Sequence, residues 1–76
     1  MAKYRKKPVI VEASQWLPGA EITGVYRDNS DGSYVITVHG QQAFLRPGDW
    51  VITEPDGVHH YPCKPGYFHA IYERVE

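Results

Sequence analysis

One thiol and a group of imidazoles are the most reactive side chains in this 76-residue chain. Cys63 stands between Pro62 and Lys64, with His59, His60 and His69 close by in sequence. A thiol beside an imidazole suits nucleophilic catalysis only where oxyanion donors and an orienting group complete the set. No segment of the chain supplies them. His59, Cys63 and His69 are also metal-ligand types, but their spacing matches no standard zinc pattern. His59 and His60 are neighbours in a predicted strand, so they point to opposite faces and cannot share one site. Ser14, Ser30 and Ser33 lack the surroundings of a nucleophile elbow. Asp49, Glu54 and Asp56 form no specific carboxylate pair. The glycines never cluster into a phosphate loop. The expectation is a chain with no catalytic residues, no metal and no cofactor, in which Cys63 is a packed, inert thiol.

Recognition is the more natural use of these residues. Six tyrosines and two tryptophans are a heavy aromatic load for this length. Such rings fill cores, stack on flat ligands or anchor protein contacts. Tyr61 and Lys64 flank the Pro62-Cys63 kink, where one can stack on a ring and the other neutralise a phosphate. Arg46 stands at the mouth of the Pro47-Gly48 turn. With Trp50, His59 and Tyr67, these give an expected ligand-binding set of Arg46, Trp50, His59, Tyr61, Lys64 and Tyr67.

Short strands must position these groups. Pro8 to Trp16 reads as a first strand, rich in β-branched residues and ended by Pro18-Gly19. Glu21 to Arg27 is a weaker strand interrupted by Gly24, followed by a turn over Asn29, Ser30, Asp31 and Gly32. Tyr34 to Val38 is a strand with Tyr34, Ile36 and Val38 on one face. His39-Gly40 reads as a two-residue hairpin turn, with Gln41 to Arg46 returning. Pro47-Gly48 fits the centre of a type II turn, with Asp49 placed to accept its amide hydrogens. Trp50 to Glu54 is the next strand, Pro55-Asp56-Gly57 a turn, and Val58 to Tyr61 its return. Pro62, Pro65 and Gly66 are expected to break strands. Tyr67, Phe68, Ile71 and Tyr72 recur at helical spacing, with Pro65 suited to a first turn. The fold expected is mainly β: a small curved antiparallel sheet or barrel of five to six strands with a short C-terminal helical turn.

The length fits a single small β-rich domain, residues 1–76. The hydrophobic content of 42% suffices for a core. So small a core favours burial against further subunits, and a homo-oligomer is expected. Net charge is −1, which argues against broad nucleic-acid binding. Lys3, Arg5, Lys6 and Lys7 cluster near the start and read as a solvated edge. Pro8 to Val11 is too short an apolar run for a signal peptide or a membrane span. With one cysteine and no internal disulfide, the expected place is the cytoplasm.

Certain segments also carry a resemblance. Lys7-Pro8-Val9, Pro47-Gly48-Asp49-Trp50, Asp56-Gly57, Tyr61-Pro62-Cys63-Lys64-Pro65, Phe68 and Tyr72-Glu73 resemble a family of small phage and prophage proteins. The chain is also similar to the domain family named for a Pro-Gly-Asp-Tyr-Gly motif. It departs from that motif, with Trp50 in place of the tyrosine and Val51 in place of the glycine. The resemblance covers about half the chain and implies a phage origin and a compact β fold. It implies no reaction. Small phage proteins outside the virion often disable a host function by binding. The function expected first is therefore sequestration of a small anionic ligand, such as a nucleotide immune signal; the alternative is inhibition of a host enzyme or complex, with a small hydrolase or metal-dependent enzyme as the third reading.

Overall fold

The structure, a computed structural model, describes residues 1–5, 9–28 and 32–75. Lys6, Lys7 and Pro8, and the Asn29-Ser30-Asp31 part of the expected turn, lie outside the described residues. Among the described residues, six strands form two three-stranded antiparallel sheets, and one short helix follows. The strands are β1 (Ala13–Gln15), β2 (Tyr26–Arg27), β3 (Ser33–Ile36), β4 (Gln42–Phe44), β5 (Trp50–Thr53) and β6 (His60–Cys63); α1 is Pro65–Ile71. One sheet has the order β1-β5-β6 and the other β2-β3-β4. Neither closes into a barrel, so the curved-sheet form of the expectation describes the architecture. No helix among the described residues is long and apolar enough to cross a membrane.

Register explains what is buried. In the first sheet Ala13 faces Ile52, Gln15 faces Trp50, Tyr61 faces Ile52 and Cys63 faces Trp50. Side chains alternate across a sheet, so these six residues share one face. Val51, His60 and Pro62 share the other, together with Trp16 just past the end of β1. That second face meets Val35 and Leu45 of the other sheet, and Trp16, Val35, Leu45 and Val51 form the core, with Ile22, Val25 and Ala43 packed against it. Ile52 is fully buried on the opposite face, beneath the aromatic side chains described below.

The strand limits have local causes. Beyond Ala13, Thr53 donates to the Glu12 carbonyl and Trp16 donates to the Asp49 carbonyl, so pairing to β5 runs a little past β1. Val9, Ile10 and Val11 were expected inside this strand. They find no partner on β5, because that strand ends where Glu54-Pro55-Asp56-Gly57 turns back. The expected Glu21 strand shrinks to Tyr26–Arg27, since the Val25 amide bonds to the Ile22 carbonyl in a turn. The first hairpin also differs. Gly40 donates to the Thr37 carbonyl and Thr37 to the Gln41 carbonyl, so the loop is Val38-His39-Gly40, three residues instead of two.

The Pro47-Gly48 turn forms as read. Asp49 donates to the Arg46 carbonyl at 3.0 Å, with Gly48 at φ 93°, the value a type II turn requires. Asp49 is buried, and its Oδ2 accepts the Arg46 amide hydrogen at 3.0 Å. Gly48 also donates to the Trp16 carbonyl, and Gln15 Nε2 donates to the Gly48 carbonyl, which ties the turn to the end of β1.

The return strand β6 starts later than expected, because Asp56 Oδ1 captures the amides of Val58 and His59. Pro62 lies within β6, contrary to expectation. Glu54 donates to the His59 carbonyl, so the pairs bonded to β5 fall at His59, Tyr61 and Cys63. The Pro62 nitrogen therefore points off the outer edge, where a missing N–H costs nothing.

Candidate functional site

The expected ligand-binding residues divide between three places. Lys64 caps the start of α1 with its backbone, and Tyr67 is exposed on that helix. Gly48 lies beside Pro65, so exposed Arg46 sits at the same end of the molecule. Trp50 begins β5 at this end, but it is committed to packing. Its ring stacks on Phe68 at a centroid distance of 4.1 Å and an interplanar angle of 3°. Phe68 in turn stacks on Tyr72 at 5.1 Å, and His69 meets both Trp50 and Phe68 edge-on. Tyr61 lies midway along β6, with its hydroxyl 3.0 Å from that of Tyr72. His59 is at the opposite end, between the Pro55-Gly57 turn and β6, with its Nδ1 2.5 Å from Asp56 Oδ2. The six residues do not converge on one surface.

This aromatic cluster is what holds α1. The helix has only 7 residues, no side-chain cap and no acid in its first turn. A helix so short is not stable alone, so its docking through Phe68 and Tyr72 must fix it. Trp50 Nε1 is buried without a hydrogen-bond partner, a cost accepted for the stack.

Ionisation follows the same geometry. Burial, and then the Tyr72 hydroxyl, push the Tyr61 phenol well above the ordinary tyrosine range. A group raised on folding adds stability below its unfolded value, roughly 10, and loses it as pH climbs through the folded value. Chemical denaturation is therefore expected to show stability falling from about pH 10 upward, and Tyr61→Phe should flatten the fall. An equal alkaline slope in both proteins would contradict this assignment. Burial, with the Asp49 carboxylate, raises the Cys63 thiol. That holds it protonated at neutral pH, the opposite of what a nucleophile needs. The His59 ring, followed by the amides of His59 and Val58, holds the exposed Asp56 carboxyl well below the usual range.

Cys63 and His59 lie at opposite ends of β6, and among the described residues no three metal-binding side chains converge. Open depressions mark the surface formed by the described residues. One of about 620 Å³ is lined by Trp16, Glu21, Ile22, Thr23, Arg27 and Ser33, among others. A second of about 270 Å³ lies beside Ile10, Glu12 and Pro55.

The feature that reading the sequence missed is on the second sheet. Tyr26 faces Tyr34, and Tyr34 faces Phe44. Their rings form a row across three strands, with centroids 5.8 Å and 5.5 Å apart. The row lies on the face turned away from Val35 and the core. Tyr26 is 54% exposed and Phe44 50%. Ile36 and Gln42 share this face, so no strand residue on it carries a formal charge. No family model, curated protein or solved structure matches the chain. Its function therefore has to be argued from this surface and the residues around it.

Proposed function

We propose that this chain is a non-enzymatic binding protein of phage type that counteracts a host function by docking on a host protein. The observation that carries the reading is the exposed row Tyr26–Tyr34–Phe44. Aromatic residues are enriched, and charged ones depleted, at the centres of protein interfaces. An open sheet face fits a protein surface better than a small molecule, which needs a concavity burying most of its area. The raised Cys63 thiol and the scattered histidines support a role without catalysis.

The test is retention of a host protein by the wild type and by two variants. Interface anchors of this kind cost about 2 kcal/mol or more on truncation, roughly 30-fold in Kd. Tyr26→Ser with Phe44→Ser should lose the partner at least to that extent. Tyr67→Ser, at a more exposed ring on α1, should keep it. Equal retention by both variants would overturn the reading.

The depression at Arg27 and Thr23 supports a second reading, in which the ligand is a small anion such as a nucleotide signal. One guanidinium and nearby hydroxyls are the groups a phosphate would use. Calorimetry with cyclic nucleotides would then show binding that Arg27→Ala abolishes and the ring variants leave unchanged.

A further inference from the structure

The edges of the two sheets are not protected alike. An exposed sheet edge presents unpaired N–H and C=O groups, and proteins usually blunt it with proline, lysine or a very short strand. The outer edge of β6 carries Pro62, β2 is only two residues long, and β4 lies against β6. The outer edge of β1 lacks the proline and is longer, its bonds to β5 running from Glu12 to Trp16 past the three residues of the strand itself. From Val9 to Gln15 there is no proline, lysine or arginine, and Glu12 is the sole charge. Lys3, Arg5, Lys6, Lys7 and Pro8 precede this stretch in sequence, and none falls within it.

Backbone direction along this edge follows from the bonds on the other side. Glu12 and Trp16 bond to β5, at Thr53 and Asp49, and Ser14 shares their phase opposite Val51. In an antiparallel ladder the alternate residues point outward. The backbone groups of Val11, Ala13 and Gln15 therefore line the open edge. Ahead of them, Val9 and Ile10 are 58% and 82% exposed, although β-branched residues favour a paired strand.

We infer that a second copy of this chain covers this edge, with β1 pairing antiparallel to its twin about a twofold axis. The inference uses a surface separate from the aromatic row and does not depend on it. Two identical antiparallel edges satisfy each other's backbone groups, so the contact is self-complementary. An axis at Val11 or Ala13 sets odd-numbered residues opposite odd-numbered ones, each pair exchanging both hydrogen bonds. It also keeps the two Glu12 carboxylates from facing each other directly, which an axis at Glu12 would not. The product is one continuous sheet in the order β6-β5-β1-β1-β5-β6, with Val9, Ile10 and Val11 brought into it.

Light scattering on the purified full chain tests this. The wild type should show twice the chain mass of 8.7 kDa. Ala13→Pro removes an outward amide and leaves the bonds to β5 intact, so it should give a single-chain mass with unchanged circular dichroism. A monomeric wild type would overturn the inference, as would a dimer that survives in folded Ala13→Pro. If that variant does not fold, amide exchange in the wild type decides. Slow exchange at Val11, Ala13 and Gln15 supports pairing, and exchange at free-chain rates overturns it. The ring variants used for host binding leave this edge untouched, so the two proposals fail separately.

Discussion

Gly24→Ala is expected to lower the thermal midpoint by at least 10 °C, approximately, and to leave the chain partly unfolded at 37 °C. Two independent costs combine. Gly24 holds φ at 93°, a region where an L side chain is strained by about 1–2 kcal/mol. A methyl group there would also overlap the His60 ring, reaching Nε2 at 2.7 Å and the ring's Cε1 and Nδ1 more closely still. His60 is 6% exposed, on the face of the first sheet that meets the second, so its ring has little room to retreat. Overpacking of this kind costs roughly 1–3 kcal/mol. A domain of this size has a margin of about 5 kcal/mol, so the sum is a large part of the whole. Thermal unfolding followed by circular dichroism checks the result. Adding His60→Ala removes the overlap but not the backbone strain, so in a double-mutant cycle Gly24→Ala should cost less in the His60→Ala background by the overlap alone. A Gly24→Ala variant as stable as wild type would contradict the contact between this turn and β6.

Trp50→Ala should be comparably damaging, by a different route. It removes the surface on which Phe68 stacks and uncovers the fully buried Ile52 on the same sheet face. Truncation of a packed tryptophan costs about 3–5 kcal/mol. Because α1 has little stability of its own, its helical signal should disappear before the sheets melt. Trp50→Phe keeps a ring for Phe68 and removes the orphan indole N–H, so it should cost far less. Urea titrations read by far-ultraviolet circular dichroism compare the three proteins. A Trp50→Ala variant that keeps α1 and loses under 1 kcal/mol, roughly, would refute the role given to the stack.

Much of this architecture was readable where a residue has one local job. Pro47, Gly48 and Asp49 specify their turn through fixed φ, positive φ and a short acceptor. Tyr67, Phe68, Ile71 and Tyr72 reveal the helix by spacing, and the helix forms. The limits of β1 and β6 were not readable, because they depend on where β5 turns and on which amides Asp56 captures.

The aromatic row was hidden by a single residue of register. A two-residue loop at His39-Gly40 would set Tyr34 opposite Leu45 and send Phe44 toward the core side. The actual three-residue loop sets Tyr34 opposite Phe44 and turns Leu45 inward, where it is buried. The alternation of Tyr34, Ile36 and Val38 was visible, but which face it joined was not. The expected ligand set is dispersed for a related reason. Aromatic residues near prolines look available in sequence, yet Trp50 and Tyr61 are used to dock α1.

Amide hydrogen exchange of the chain, alone and with the host protein it retains, asks where recognition happens. Protection gained at Tyr26–Arg27, Ser33–Ile36 and Gln42–Phe44 is the outcome expected if the tilted rings on the second sheet form the contact. Protection confined to α1 and the Pro47-Gly48 turn, with β2, β3 and β4 unchanged, would show that the molecule meets its target elsewhere.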